Sequence, residues 1–223
     1  MDKNIVKAVK RILVYIVGFF SLAIGINISK LASLGISPVS SVPFAVELVW
    51  GIELGRATVI VYAALIIIQI ILLRKDYKVK NLLQFIPAYL VGSFITFTST
   101  DYLLFWVPAP SSYIVKLVYL FISIVIIGAG VFLFLIADIM PLPPEGLSQV
   151  VVKISRDKIK LGNAKIIVDT SMVIVSALIS LIFLNSLKSV REGTILTALL
   201  VGKVIGFLMK NYKGRVIGWM EKS

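Results

Sequence analysis

The chain has 223 residues, 59% of them apolar and 15% charged. Soluble domains average about 45–50% apolar and about 25% charged residues, so a mean hydropathy of +1.01 reads as an integral membrane protein. The chain has no Cys and no His, which excludes disulfides, thiolate nucleophiles, Ser-His-Asp chemistry and most transition-metal sites.

The formal net charge is +12. On a soluble protein that would point to nucleic acid. Here the basic residues fall between apolar runs, the positive-inside pattern of a membrane protein. The expected surroundings are therefore the lipid bilayer, with no nucleic-acid partner.

Lys3, Lys7, Lys10 and Arg11 lead directly into an apolar run over about 12–32. No short apolar core with a small-residue cleavage site follows, so this segment is expected to stay as the first span. The next stretch, Pro38 to Trp50, has only thirteen residues. A helix of that length covers about 20 Å, too little for a hydrocarbon core about 30 Å thick. Spans then follow at about 57–73, 82–104 and 116–137. A second thirteen-residue stretch, Pro143 to Ser155, comes after the Met140-Pro141-Leu142-Pro143-Pro144 break. The last spans are about 163–184 and 194–210. The basic tail from Lys210 to Lys222 reads as an amphipathic segment on an anionic leaflet.

Six crossings place Arg74 to Lys80, Lys153 to Lys160 and the C-terminal basic residues on the same side as the N-terminus. If the two short stretches also crossed, Arg74 to Lys80 would fall outside, against the rule. They are therefore expected to be re-entrant or interfacial half-helices. Both begin at Pro, the favoured first helical position, and Ser37 stands where an N-cap would.

The two halves repeat. Leu54-Gly55-Arg56-Ala57-Thr58-Val59-Ile60-Val61-Tyr62 aligns with Leu161-Gly162-Asn163-Ala164-Lys165-Ile166-Ile167-Val168-Asp169 at an offset of 107, with five identities in nine positions. Leu90-Val91-Gly92 aligns with Leu200-Val201-Gly202 at an offset of 110. Gly25, Ala32 and Pro38 align with Gly130, Ala137 and Pro143 at an offset of 105. The expected architecture is a single all-α membrane domain over 1–223. It has a 3+3 inverted-topology repeat, about 12–104 and 116–210, each half carrying one short helix. Inverted repeats with broken helices point to secondary transporters. A duplication retained for packing is the plainer alternative.

Ionisable residues inside spans are costly and are functional candidates by default. Asp169 lies a third of the way along the fifth span and Lys203 in the middle of the sixth, and the two are candidates to pair. Glu145 flanks the second break. The polar candidates for a solute path are Asn27, Ser37, Ser40, Ser41, Gln69, Ser148 and Thr170. The N-terminus of a half-helix offers free N–H groups and a positive dipole end, so Ser37-Pro38 is a candidate anion site. Glu145 in the first turn of the other half-helix either satisfies that helix end or binds a cationic substrate or ion. Gly92, Gly202 and Gly206 are expected at close helix contacts. Trp50, Trp106 and Trp219 read as interfacial anchors. Thr96, Thr98, Ser99 and Thr100 are expected to cap or soften the outer end of the third span. No catalytic residue, metal site or cofactor is expected.

Leu34-Gly35-Ile36-Ser37-Pro38, Leu54-Gly55 and Glu192-Gly193-Thr194 resemble motifs of the bacterial YczE/YyaS/YitT membrane proteins, and the likeness covers about residues 12–210. The resemblance implies a multi-pass protein of the bacterial cytoplasmic membrane, of five or six spans. It supplies no site residue. The functional expectation is a small secondary transporter that moves a polar or charged solute, with both termini cytoplasmic. A solute-binding component that needs a partner ATPase, a non-transporting sensor and a homodimeric state stay open.

Overall fold

A computed structural model describes residues 3–222. Among these residues the secondary structure is helical, with no strand. The α-helices are α1 (Lys3–Ala32), α2 (Pro38–Trp50), α3 (Leu54–Leu73), α4 (Phe85–Phe97), α5 (Tyr113–Ala137), α6 (Pro143–Ile154), α7 (Leu161–Leu184) and α8 (Glu192–Glu221). Five of them, α1, α3, α5, α7 and α8, are long and apolar enough to cross a bilayer, as a polytopic membrane protein requires.

The third expected span, 82–104, is shorter than its hydropathy suggests. It resolves into a 3-10 helix, Val79–Gln84, followed by the thirteen residues of α4. Pro87 fits only in the first turn, where its missing N–H has no helical partner to lose. At the other end the Thr98 hydroxyl donates to Phe94 O at 2.7 Å, and Asn27 Nδ2 donates to Ile95 O at 2.8 Å. These bonds occupy carbonyls that a continuing helix would use.

The two short helices form as expected. α2 carries Pro38 at its start and stops at Gly51, whose φ of +67° is left-handed and whose N–H reaches Glu47 O. That is the glycine helix stop. Ser37 is not a side-chain cap, since its hydroxyl donates to Ser40 Oγ at 3.0 Å. α6 starts at the Pro143-Pro144 pair and ends at Ser155.

The core is a tight antiparallel pairing of α1 with α5. A Cβ on Gly130 would lie 2.6 Å from Leu22 N, and one on Gly18 would lie 2.7 Å from Phe134 N. Small residues here let the backbones approach closely. Phe19, Ala23 and Ile26 are buried in this seam, with Phe134 tilted against Phe19 at a centroid distance of 5.4 Å. Around it, α2 packs on α7 and α3, α6 on α3 and α7, α4 on α3 and α1, and α8 on α5.

The basic tail is a mostly exposed continuation of the last helix. α8 continues unbroken to Glu221. Its end is held by Lys10, whose Nζ donates to Trp219 O at 3.2 Å and to Lys222 O at 2.5 Å and sits over the Trp219 ring. The start of α1 and the end of α8 therefore meet at one end of the bundle. Lys153 pairs with Asp76 at 3.7 Å, joining the other two basic segments.

Candidate functional site

The short helices begin inside the bundle. Ser41, in the first turn of α2, accepts from the Ser176 hydroxyl at 2.8 Å through its carbonyl and donates to Met172 O at 3.4 Å. Met172 and Ser176 lie in the middle of α7, whereas Trp50, at the other end of α2, tilts against Phe183 near the end of α7. α2 thus runs outward from mid-helix depth.

α6 repeats the arrangement at the opposite end. Gln69 Nε2 donates to Pro143 O at 3.1 Å, and a Cβ on Gly146 would lie 3.0 Å from Gln69 Oε1. Gln69 also exchanges amide bonds with Gln84 at 3.2 and 3.3 Å. Tyr15 Oη donates to Met140 O at 2.6 Å and ties the proline-rich break to the middle of α1.

A charged triad gathers where α6 starts. Lys165 Nζ lies 3.2 Å from Glu145 Oε1 and 2.9 Å from Asp169 Oδ1. The Glu145, Asp169 and Lys165 side chains are 19%, 26% and 32% exposed. Glu145 Oε2 is buried and accepts no hydrogen bond. Tyr62 is buried on α3, within electrostatic reach of both Glu145 and Asp169. Two carboxylates around one ammonium leave the group one negative charge. Glu145 and Lys165 line a cavity of about 410 Å³ bounded by α5, α6, α7 and α8, with Ser148, Gln149 and Phe134 in its walls.

The structure separates the candidate residues. Glu145, Ser148 and Asp169 come together, with Asp169 on Lys165. The expected Asp169–Lys203 pair is not formed: Lys203 lies exposed on α8, and among the described residues it has no ion-pair partner. Asn27 is taken up by the end of α4, with its Nδ2 also donating to Thr98 Oγ1 at 2.9 Å. Ser37, Ser40, Ser41 and Gln69 are buried and hydrogen-bonded to each other, to backbone or to Gln84. Thr170 faces outward from α7. Gly92 sits at a close contact, but nothing lies within 4 Å of a Cβ built on Gly202 or Gly206. Lys165 and Tyr62 were not singled out from the sequence, although Lys165 stands four residues before Asp169, the spacing at which opposite charges meet on a helix.

The helix starts are poor anion sites. Pro143 and Pro144 lack N–H groups and the Gly146 N–H is spent on Leu142 O, so α6 offers one free amide in its first turn. At α2, Pro38 has none and the Ser40 N–H is spent on Ser37 O. Among the described residues no three His, Cys, Asp or Glu side chains converge to hold a metal. No curated protein and no solved structure matches the chain. The profile of a family of unknown function, DUF6198, matches residues 9–210. Its match takes in all eight helices, in whole or in part, and every residue of the charged triad, and the chain belongs to this family.

Proposed function

We propose that the chain is a small secondary transporter, working by alternating access around the Glu145–Lys165–Asp169 site. One observation carries the reading: the two short helices make reciprocal contacts. Ser176 holds Ser41, and Gln69 touches Gly146. The repeat offsets carry Gln69 onto Ser176 and Ser41 onto Gly146. Each half-helix thus leans on the other half's long helix at the matching place. That pattern supports an inverted-topology pair, and broken helices meeting near mid-depth are the usual setting of a transporter site.

A sixth crossing is compatible with the helix lengths. The thirteen residues of α4 cover about 20 Å, and the preceding 3-10 helix adds about 12 Å at about 2 Å per residue. Three crossings per half is odd, so the second half enters from the opposite face. The positive-inside rule then turns the basic end toward the cytoplasm. The likeness to YczE/YyaS/YitT proteins accords with a bacterial cytoplasmic membrane.

The test uses the Cys-free background. Ser148→Cys, in the cavity wall, is expected to react with a membrane-impermeant maleimide from the basic end only. Ser40→Cys, buried at the start of α2, is expected to react from the opposite end and only in a minor fraction. If Ser148→Cys reacts from neither face, the central-site reading fails. Solute uptake by the isolated protein in liposomes separates a transporter from a component that needs a partner ATPase. Asp169→Asn is expected to abolish that uptake while the protein still folds.

A further inference from the structure

The same repeat that supports a transporter also exposes a difference between its halves. Gly55 and Gly92 meet where α3 crosses α4: a Cβ on Gly92 would lie 2.7 Å from Gly55 O, and a Cβ on Gly55 would collide with Gly92 O. Their sequence counterparts are Gly162 and Gly202. Around a Cβ built on either of these, nothing lies within 4 Å. α3 and α4 pack along each other, whereas α7 and α8 do not. The gap between α7 and α8 leads to the 410 Å³ cavity, which has Gly162 and Lys165 on one wall and Ile205 on another.

The chemistry of the cavity narrows what enters it. Its walls are mostly apolar, including Phe134, Leu135, Ile139, Met140 and Ile205. Its charged end carries one surplus negative charge, and Glu145 Oε2 lacks a hydrogen-bond partner. Asp138 also borders the cavity, but it is shared with a neighbouring one lined by Lys7, Arg11 and Lys213 and is left out of this balance. An anion would find one free amide at the start of α6 and a Lys165 ammonium already held by two carboxylates. A cation would find the partly exposed Glu145 carboxylate on the wall, and Phe134 supplies an aromatic wall of the kind that attracts cations. A volume of this size suits a small organic molecule.

We propose that the cavity lined by Glu145 and Lys165 takes amphipathic organic monocations, which enter between α7 and α8, and that the entrance closes when Gly162 meets Gly202. The proposal rests on the transporter reading for the purpose of closure, but not for binding. In closure the second half adopts the crossing that Gly55 and Gly92 make in the first. A cationic head joins Lys165 at the Glu145 carboxylate, and the apolar body lies against Phe134 and Ile205.

The probe is labelled tetraphenylphosphonium, measured by equilibrium binding to the full chain in phosphatidylglycerol nanodiscs. Saturable binding is expected, weakened about tenfold or more by Glu145→Gln, the scale of one lost charge contact. Tetraphenylborate, of the same shape and opposite charge, is expected not to compete. Tetramethylammonium, which lacks the apolar body, is expected to compete at least about tenfold more weakly. If Glu145→Gln folds poorly, Ile205→Trp fills the cavity from its wall and is expected to remove binding. Equal binding of tetraphenylborate, or unchanged affinity in both variants, overturns the assignment. Replacing half the lipid with phosphatidylethanolamine identifies the source: displaced probe assigns the site to a lipid ammonium head, and retained probe to a soluble ligand. For closure, a short bismaleimide is expected to link Gly162→Cys to Gly202→Cys several-fold faster when the probe is bound, and an unchanged rate overturns the gate. Labelling of Ser148→Cys needs no ligand, so failure of the cation to bind leaves the transporter reading standing.

Discussion

The α3–α4 crossing and the α7–α8 gap are built from matching sequence blocks but carry opposite packing. In the first, two glycines bring backbones into contact, with Thr96 alongside. In the second, the same glycines face open space. Glycine is thus no sign of contact by itself. It permits a close approach, and neighbouring elements decide whether the approach occurs. α4 is held on α3 and α1, with Asn27 closing its end. α8 is held on α5 and leaves α7 free.

The largest expected effect tests that contrast directly. Gly92→Val places carbon atoms against the Val59 side chain and against the Gly55 carbonyl, and the carbonyl is backbone that cannot turn aside. Forced overpacking of this kind costs about 1–3 kcal/mol, and a backbone collision belongs at the upper end. Gly202→Val meets nothing and is expected to change stability by less than about 0.5 kcal/mol. Thermal unfolding in detergent measures both. Equal losses would mean that α7 and α8 already touch in the resting protein.

The charged triad gives a second contrast, because Lys165 aligns with Thr58. Lys165→Met leaves Glu145 and Asp169 facing each other without their cation. Breaking a fully buried pair costs about 3–5 kcal/mol; at 19–32% exposure the expected loss is about 2 kcal/mol. Thr58 donates only to Leu54 O in its own helix, at 2.7 Å. Thr58→Val is expected to cost about 1 kcal/mol or less, the scale of one modest hydrogen bond. A comparable loss in the two variants would argue that the triad is a surface pair without special weight.

Much of this architecture was readable from hydropathy, because five helices are apolar over their length and the two short ones are bracketed by Pro and polar residues. The third span ends earlier than its hydropathy suggests, for a local reason. Thr98 is compatible with an apolar run, but its hydroxyl bonds back to Phe94 O, and Asn27 arrives from 71 residues away. Hydropathy does not register a cap supplied by another helix. The site was half legible. Asp169 and Glu145 stood out as charges in apolar surroundings, but Asp169 was matched to Lys203 by depth alone. Depth does not say which face of a helix a residue occupies. Lys203 faces outward, and Lys165, one turn before Asp169, takes its place. The state of the two glycine pairs had no sequence signal, since both pairs are Gly against Gly.

The smallest expected effect, a coupling energy, sharpens the comparison where the halves agree. Ser176 and Gln69 occupy matching positions and each braces the start of the other half's short helix. Ser176→Ala removes the bond to Ser41 O at 2.8 Å and one bond to Ser189, which keeps its partner Ser180 at 2.6 Å. Gln69→Met removes the bond to Pro143 O and the exchange with Gln84. A net hydrogen bond contributes about 1 kcal/mol and a buried polar group left unpaired costs about 1–3 kcal/mol, so the expected losses are about 1 kcal/mol for Ser176→Ala and about 2–3 kcal/mol for Gln69→Met, which strands the buried Gln84 amide. The sites share no partner, so the double variant is expected to lose the sum to within about 0.5 kcal/mol. If the losses are instead far from additive, the two braces are one coupled element. The half-helices then move together rather than in opposition, and exchange of conformations between the halves is no longer tenable.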